Sequence, residues 1–266
     1  MSAVTLPSLR PRPRPPMAAV RLLWHQIRYE QLSFWRNTQN AVFTFAFPVL
    51  FMTVLGLLMR GGTASSYFYG RTPVAYYMPT IAALSVIGTC YGQLAVVLAM
   101  RRQDGILKRV RATPLPAGLY FLGLLAHCLV VAVTDVALII SIGALFGAPR
   151  PAHWLALAVT LAVGAACFCG LGVAVASLVR NAEAAPAVVQ LVLFPLLFLS
   201  GTYLPIHSAA LNSVSGMLPI RPFNQALLGA LTGPGLAWTH LAVLAGWGVV
   251  GAVVGVRRFR WNPRPE

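Results

Sequence analysis

The sequence predicts an all-α integral membrane protein: six transmembrane helices, an N-terminal interfacial amphipathic helix, and re-entrant helices between spans five and six. Three observations carry this reading. Of the 266 residues, 58% are hydrophobic and only 9% charged, against about 25% charged in a typical soluble domain. The apolar residues fall in runs close to the ~20 needed to cross hydrocarbon as a helix. The formal charge of +15 lies almost wholly in the gaps between those runs. That is the placement of membrane-flanking anchors, not of a basic groove for nucleic acid.

Residues 1–16 read as a disordered cytoplasmic arm. The stretch TLPSLRPRPRPP at 5–16 alternates Arg with Pro and has no apolar core, so it fails the signal-peptide pattern and is expected to stay uncleaved. Residues 17–37 place Val20, Leu23, Trp24, Ile27 and Phe34 on one helical face, with Arg21, His25, Arg28 and Arg36 elsewhere. Such a helix suits the membrane interface, aromatics dipped in and Arg at the lipid headgroups; a soluble amphipathic helix is the other reading.

A single transmembrane domain is expected over 41–256, with spans at about 41–59, 74–100, 117–146, 152–178, 184–202 and 236–256. Pro48, inside the first, is tolerated where neighbours satisfy the freed backbone group. Residues 203–235 are too broken by Pro for a span, yet too apolar in LNSVSGML and NQALLGAL for a fully solvated loop. Short helices re-entering or capping the outer face fit, and an ordinary external loop is the alternative. Residues 257–266 form a short basic tail.

An even number of spans puts both termini on one side, and charge says which. Sixteen of the 20 Lys and Arg residues fall on the side of the termini; only Arg60, Arg71, Arg150 and Arg221 fall opposite. By the positive-inside rule both termini are expected in the cytoplasm.

No catalytic constellation stands out. The five acids, Glu30, Asp104, Asp135, Glu183 and Glu266, are scattered, and the five His show no His-x-x-x-His spacing. Cys90, Cys128, Cys167 and Cys169 all lie in apolar segments, where Cys behaves as a small hydrophobe; no metal site is implied. The sole lysine, Lys108, has Leu107 before it and Arg109 after it, so no G-x-x-x-x-G-K-[ST] phosphate loop exists in the chain. If ATP drives this protein, another chain hydrolyses it.

Asp135, in VAVTDVALII, is the one acid deep inside a span. An intramembrane carboxylate is by default a candidate for function, facing a cavity or path; a structural hydrogen bond to a neighbouring helix is the other reading. Gly88 with Gly92, Gly143 with Gly147, and Gly251 with Gly255 give spacings that favour close helix packing.

The loop RRQDGILKRVRATPLPAGLYFLG, residues 101–123, reads as a short basic helix broken near Asp104 and Gly105. Ile106, Leu107 and Val110 form its apolar edge, and Pro114 and Pro116 close it. It either fixes topology or docks into a partner's groove.

The run R-x-x-G-x-L-K-R-x-x-A-T-P-L-P in this loop, with L-x-F-L-S-G-x-x-x-P at Leu196 to Pro205, resembles the permease subunits of ABC-2 type exporters, which carry drugs, polysaccharides or lipids out of bacteria. The resemblance extends over nearly the whole chain. It implies a bacterial plasma-membrane permease that binds no cofactor itself, with ATP and Mg on a partner ABC ATPase. It also implies that Arg101, Arg102, Asp104, Gly105, Ile106, Leu107, Lys108 and Arg109 form a coupling helix in a cleft of that ATPase, supported by Glu30. A second permease copy or paralogue is implied too, the two enclosing an export path to which Asp135 is a candidate contributor. Two rivals stand beside it: an ion-coupled secondary transporter, which would show internal repeats and several intramembrane polar residues, and a membrane scaffold without transport.

Overall fold

A computed structural model describes residues 16–64, 70–113, 115–179, 181–200 and 209–259, and every element in them is helical. Apart from Pro16, which opens α1, the disordered arm expected at 1–16 lies outside the described residues, as do most of the basic tail and 201–208. Eleven α-helices follow in order: α1 (Pro16–Arg36), α2 (Thr38–Leu58), α3 (Pro73–Ile87), α4 (Leu94–Gln103), α5 (Ile106–Ala112), α6 (Ala117–Leu145), α7 (Trp154–Leu178), α8 (Ala185–Leu199), α9 (Ala209–Met217), α10 (Ile220–Thr232) and α11 (Trp238–Arg258). A π-helical segment, Gly88–Gln93, joins α3 to α4 without a break.

Five continuous helices are long and apolar enough to cross a membrane: Thr38–Leu58, Pro73–Gln103, Ala117–Leu145, Trp154–Leu178 and Trp238–Arg258. They match five of the six spans expected from the sequence to within a few residues. At 184–202 the described helix runs only over Ala185–Leu199, 15 residues, about 22 Å at 1.5 Å per residue.

Pro48 lies buried within α2 without ending it, and Asn37 caps that helix by accepting from the Asn40 amide at 3.2 Å. The most buried spans contain α3 and α7, both packed against α6 and α10, and α11 packs against α7. The four cysteines are free and buried there.

The α7–α11 crossing is made by small residues. A methyl group at Gly251 would meet the Gly170 carbonyl carbon at 2.6 Å, and one at Gly255 would meet Val173 at 2.9 Å. The Gly251 and Gly255 pair therefore acts as its spacing predicts, letting two backbones approach without side chains between them. Gly88 meets no neighbour and Gly92 only Val189, at 3.6 Å, so that pair builds no such crossing.

The stretch at 203–235 resolves into α9 and α10. The amides of Ala152 and His153 donate to the carbonyls of Leu231 and Ala230, fixing the end of α10 at the start of α7. Further along, Phe223 fills the space above Gly164 and meets Phe168 edge to face at 5.2 Å. The α10 helix thus follows α7 from its first residue to near its middle.

The face of α1 turned into the protein carries a charged residue among apolar ones. Glu30 and Phe34 are buried, Phe34 in a cluster with Ala41 and Val131, whereas Val20 and Trp24 are exposed. Glu30 can lie inward because it has a cationic partner on α4.

Candidate functional site

At the end of α4 the chain reverses through Asp104 and Gly105 into α5. Gly105 takes the left-handed conformation, φ 69°, which any residue with a Cβ adopts at a cost. Two neighbouring arginines then point to different places. Arg101 clamps Glu30 of α1 with both prongs, Nη1 to Oε1 at 2.8 Å and Nη2 to Oε2 at 2.6 Å, and Nη1 also donates to the Tyr120 hydroxyl at 3.1 Å. Gln26 Nε2 donates to the same Glu30 Oε1 at 2.8 Å. Both carboxylate oxygens are thereby satisfied in a site where Glu30 is only 2% exposed. Planar two-pronged pairing of this kind is the strong form of the ion pair.

Arg102 turns inward instead. Its guanidinium donates to the carbonyls of Ala176 at 2.9 Å and Val179 at 2.5 Å. These belong to the last turn of α7, where carbonyls lack helical partners and the helix dipole favours a cation. Gln103 accepts from the Ala182 amide at 2.8 Å, and Leu107 is fully buried in the core.

Of the contact set expected from sequence, Arg102 and Leu107 are buried, one against α7's open carbonyls and the other in the core. Asp104, Ile106, Lys108 and Arg109 are exposed, Gly105 is half-buried at the turn, and Arg101 is largely enclosed by its pair with Glu30. What remains outside is a charged edge with one apolar residue at its centre. Gln26, Gln103 and Tyr120 were not singled out from the sequence, since their partners lie from 4 to 79 residues away and no local pattern announces them.

Asp135 sits apart from this end, fully buried in α6. Ser85 of α3 donates to its Oδ2, and Oδ1 has no hydrogen-bond partner among the described residues.

Five helices long and apolar enough to cross a membrane, with a basic hairpin after α4, mark a multi-pass membrane protein. The chain belongs to the ABC-2 type transporter family, whose model matches residues 21–232. A Bacillus subtilis (strain 168) protein named "Putative transport permease YvfS" is 24% identical over 174 residues, 64% of this chain and 71% of that one. Membership makes the chain a transporter permease, the membrane component that works with an ABC ATPase.

Proposed function

We propose that this chain is the permease subunit of an ATP-binding-cassette exporter, moving a hydrophobic or amphipathic substrate out of the cytoplasm on ATP hydrolysed, with Mg, by a separate polypeptide. One observation carries the reading: the hairpin at Asp104–Arg109 is held rigidly from behind and open in front. Arg102 fastens it to α7, Arg101 fastens it to α1 through Glu30, and Leu107 anchors it in the core. A push on Ile106, Lys108 or Arg109 is thus passed to three helices at once. Coupling is mechanical in this reading, because the chain carries no G-x-x-x-x-G-K-[ST] phosphate loop of its own.

In this reading Ala185–Leu199, continued by residues beyond Ser200, is the fifth of six spans in a single domain over 41–256. Both termini, with the basic hairpin, face the cytoplasm of a bacterial cell. The α9–α10 pair re-enters the outer leaflet, in keeping with the way α10 follows α7 to its middle. A second permease copy or paralogue completes the export path. The exposed apolar side chains of α1, α2 and α11 meet lipid or that copy.

The test is co-expression with candidate ATPases followed by purification. A stable complex that is lost on Ile106→Asp, with the permease still folded, supports the reading. A chain that never retains an ATPase and transports without one overturns it.

A further inference from the structure

Between α2, α3 and α8 runs a groove of about 600 Å³, walled by Phe43, Phe47 and Phe51 of α2 and Phe194 of α8. No Lys, Arg or His lines it. Its polar points are few: the hydroxyls of Thr44, Ser85 and Thr89 and the amide of Gln190. Ser85, on its floor, spends its only hydroxyl proton on Asp135. Thr44 spends its proton on the Asn40 carbonyl at 2.8 Å. A hydroxyl has one donor and two acceptor lone pairs, so Ser85 presents acceptors to the groove, and Thr44, which also accepts from Gln93 Nε2 at 3.5 Å, keeps one lone pair. The amide of Gln190, also on the wall, can supply either. Behind Ser85 stands a fully buried carboxylate whose Oδ1 has no hydrogen-bond partner among the described residues.

A cavity with this inventory selects by sign. A neutral apolar molecule gains only burial from it. An ammonium gains three things besides: lone pairs to donate to, the Asp135 charge one hydroxyl away, and phenyl faces whose quadrupoles attract cations. A buried intramembrane acid is retained against a desolvation penalty, which a recurring cationic occupant would offset.

We propose that this groove is a binding site for hydrophobic amines, with Ser85 as the contact and Asp135 as the positioning and charge-selecting residue behind it. The proposal rests on the transport reading and names the substrate class of that path: cationic amphiphiles.

The test uses the full chain in lipid nanodiscs and two fluorescent probes. Monodansylcadaverine carries a primary amine; its N-acetylated form keeps the apolar body and lacks the charge. Wild type binds the amine at least about tenfold more tightly than the acetylated probe, a difference of about 1.4 kcal/mol. Asp135→Asn brings the amine to the level of the acetylated probe and leaves the latter unchanged. Ser85→Ala weakens the amine by a smaller factor. Phe47→Ala, on an exposed wall, weakens both probes. Should Asp135→Asn fail to fold, Ser85→Ala and Phe47→Ala decide the matter alone.

Equal binding of the two probes by wild type, or unchanged amine binding in Asp135→Asn, overturns the proposal and leaves a groove for acyl chains. Efficient cross-linking between copies carrying Phe47→Cys, with no amine binding to wild type, overturns it in favour of a second copy as occupant. Probe binding needs no ATPase, so amine selectivity without ATPase retention sinks the exporter reading alone. ATPase retention without amine selectivity sinks this one alone.

Discussion

Glu30 and Arg101, on helices separated by 71 residues of sequence, meet in a two-pronged ion pair of 2.8 and 2.6 Å. One partner lies on the first helix of the chain and the other on the helix that leads into the basic hairpin. Neither has another opposite charge in an ion pair among the described residues. Among the described residues the pair is therefore the one ion pair between α1 and α4.

Removing one side of it leaves a buried charge without compensation. Glu30→Ala is expected to lower stability by about 3 kcal/mol, in the range seen when one partner of a buried pair is deleted. Thermal melting in detergent checks this. Glu30→Asp shortens the reach and allows only one prong, so it falls between. The exchange Glu30→Arg with Arg101→Glu recovers part of the loss; a double variant no better than the worse single one would show that the pair does not couple α1 to α4.

Arg102 and Arg109 give opposite results when each is replaced by alanine. Arg102→Ala leaves the carbonyls of Ala176 and Val179 without their donors and opens a cavity in the core, at a cost of about 2–4 kcal/mol. Arg102→Lys keeps the charge but loses the fork that reaches both carbonyls, so it recovers only part. Arg109→Ala changes stability by no more than about 0.5 kcal/mol, as exposed substitutions do, yet reduces the ATPase retained on purification. Melting and pull-down on the same preparations separate the two behaviours.

These contrasts mark where sequence reading ends. The long apolar runs give five spanning helices almost residue for residue, because length and hydropathy alone make such a helix. The inward turn of Arg102 was not legible: in sequence it is one of two adjacent arginines, and its acceptors are main-chain carbonyls that every residue possesses. The burial of Glu30 on α1 is hidden in sequence for a related reason. Glu30 counts as polar in any periodicity, and only its partner 71 residues away makes it an inward residue. The packing of α10 along α7 was legible as a tendency of an apolar, Pro-broken stretch, but the contact of Phe223 over Gly164 depends on two distant positions at once.

Gly105 ties the hairpin's direction to its chemistry. With φ at 69°, Gly105→Ala costs about 1–2 kcal/mol at this residue, and Gly105→Asn, better tolerated in the left-handed region, costs less. Nothing lies within 4 Å of a Cβ built there, so the penalty is conformational rather than steric. The order glycine, asparagine, alanine in melting temperature checks it; equal values for alanine and glycine would show that the turn relaxes freely.

Gly164 and Gly251 separate a repairable clash from one that cannot be repaired. A methyl group at Gly164 runs into the ring of Phe223, a side chain that can be changed. A methyl group at Gly251 runs into the backbone of Gly170 and Leu171, both at 2.6 Å. Overpacking of this kind costs about 1–3 kcal/mol or more, so both alanine variants melt early. Adding Phe223→Leu removes the obstructing ring and restores much of the stability of Gly164→Ala. No side-chain change on α7 restores Gly251→Ala, because the obstruction is main chain and the two helices must move apart. Recovery of Gly251→Ala by a substitution on α7 would show that the α7–α11 crossing is looser than its glycines require.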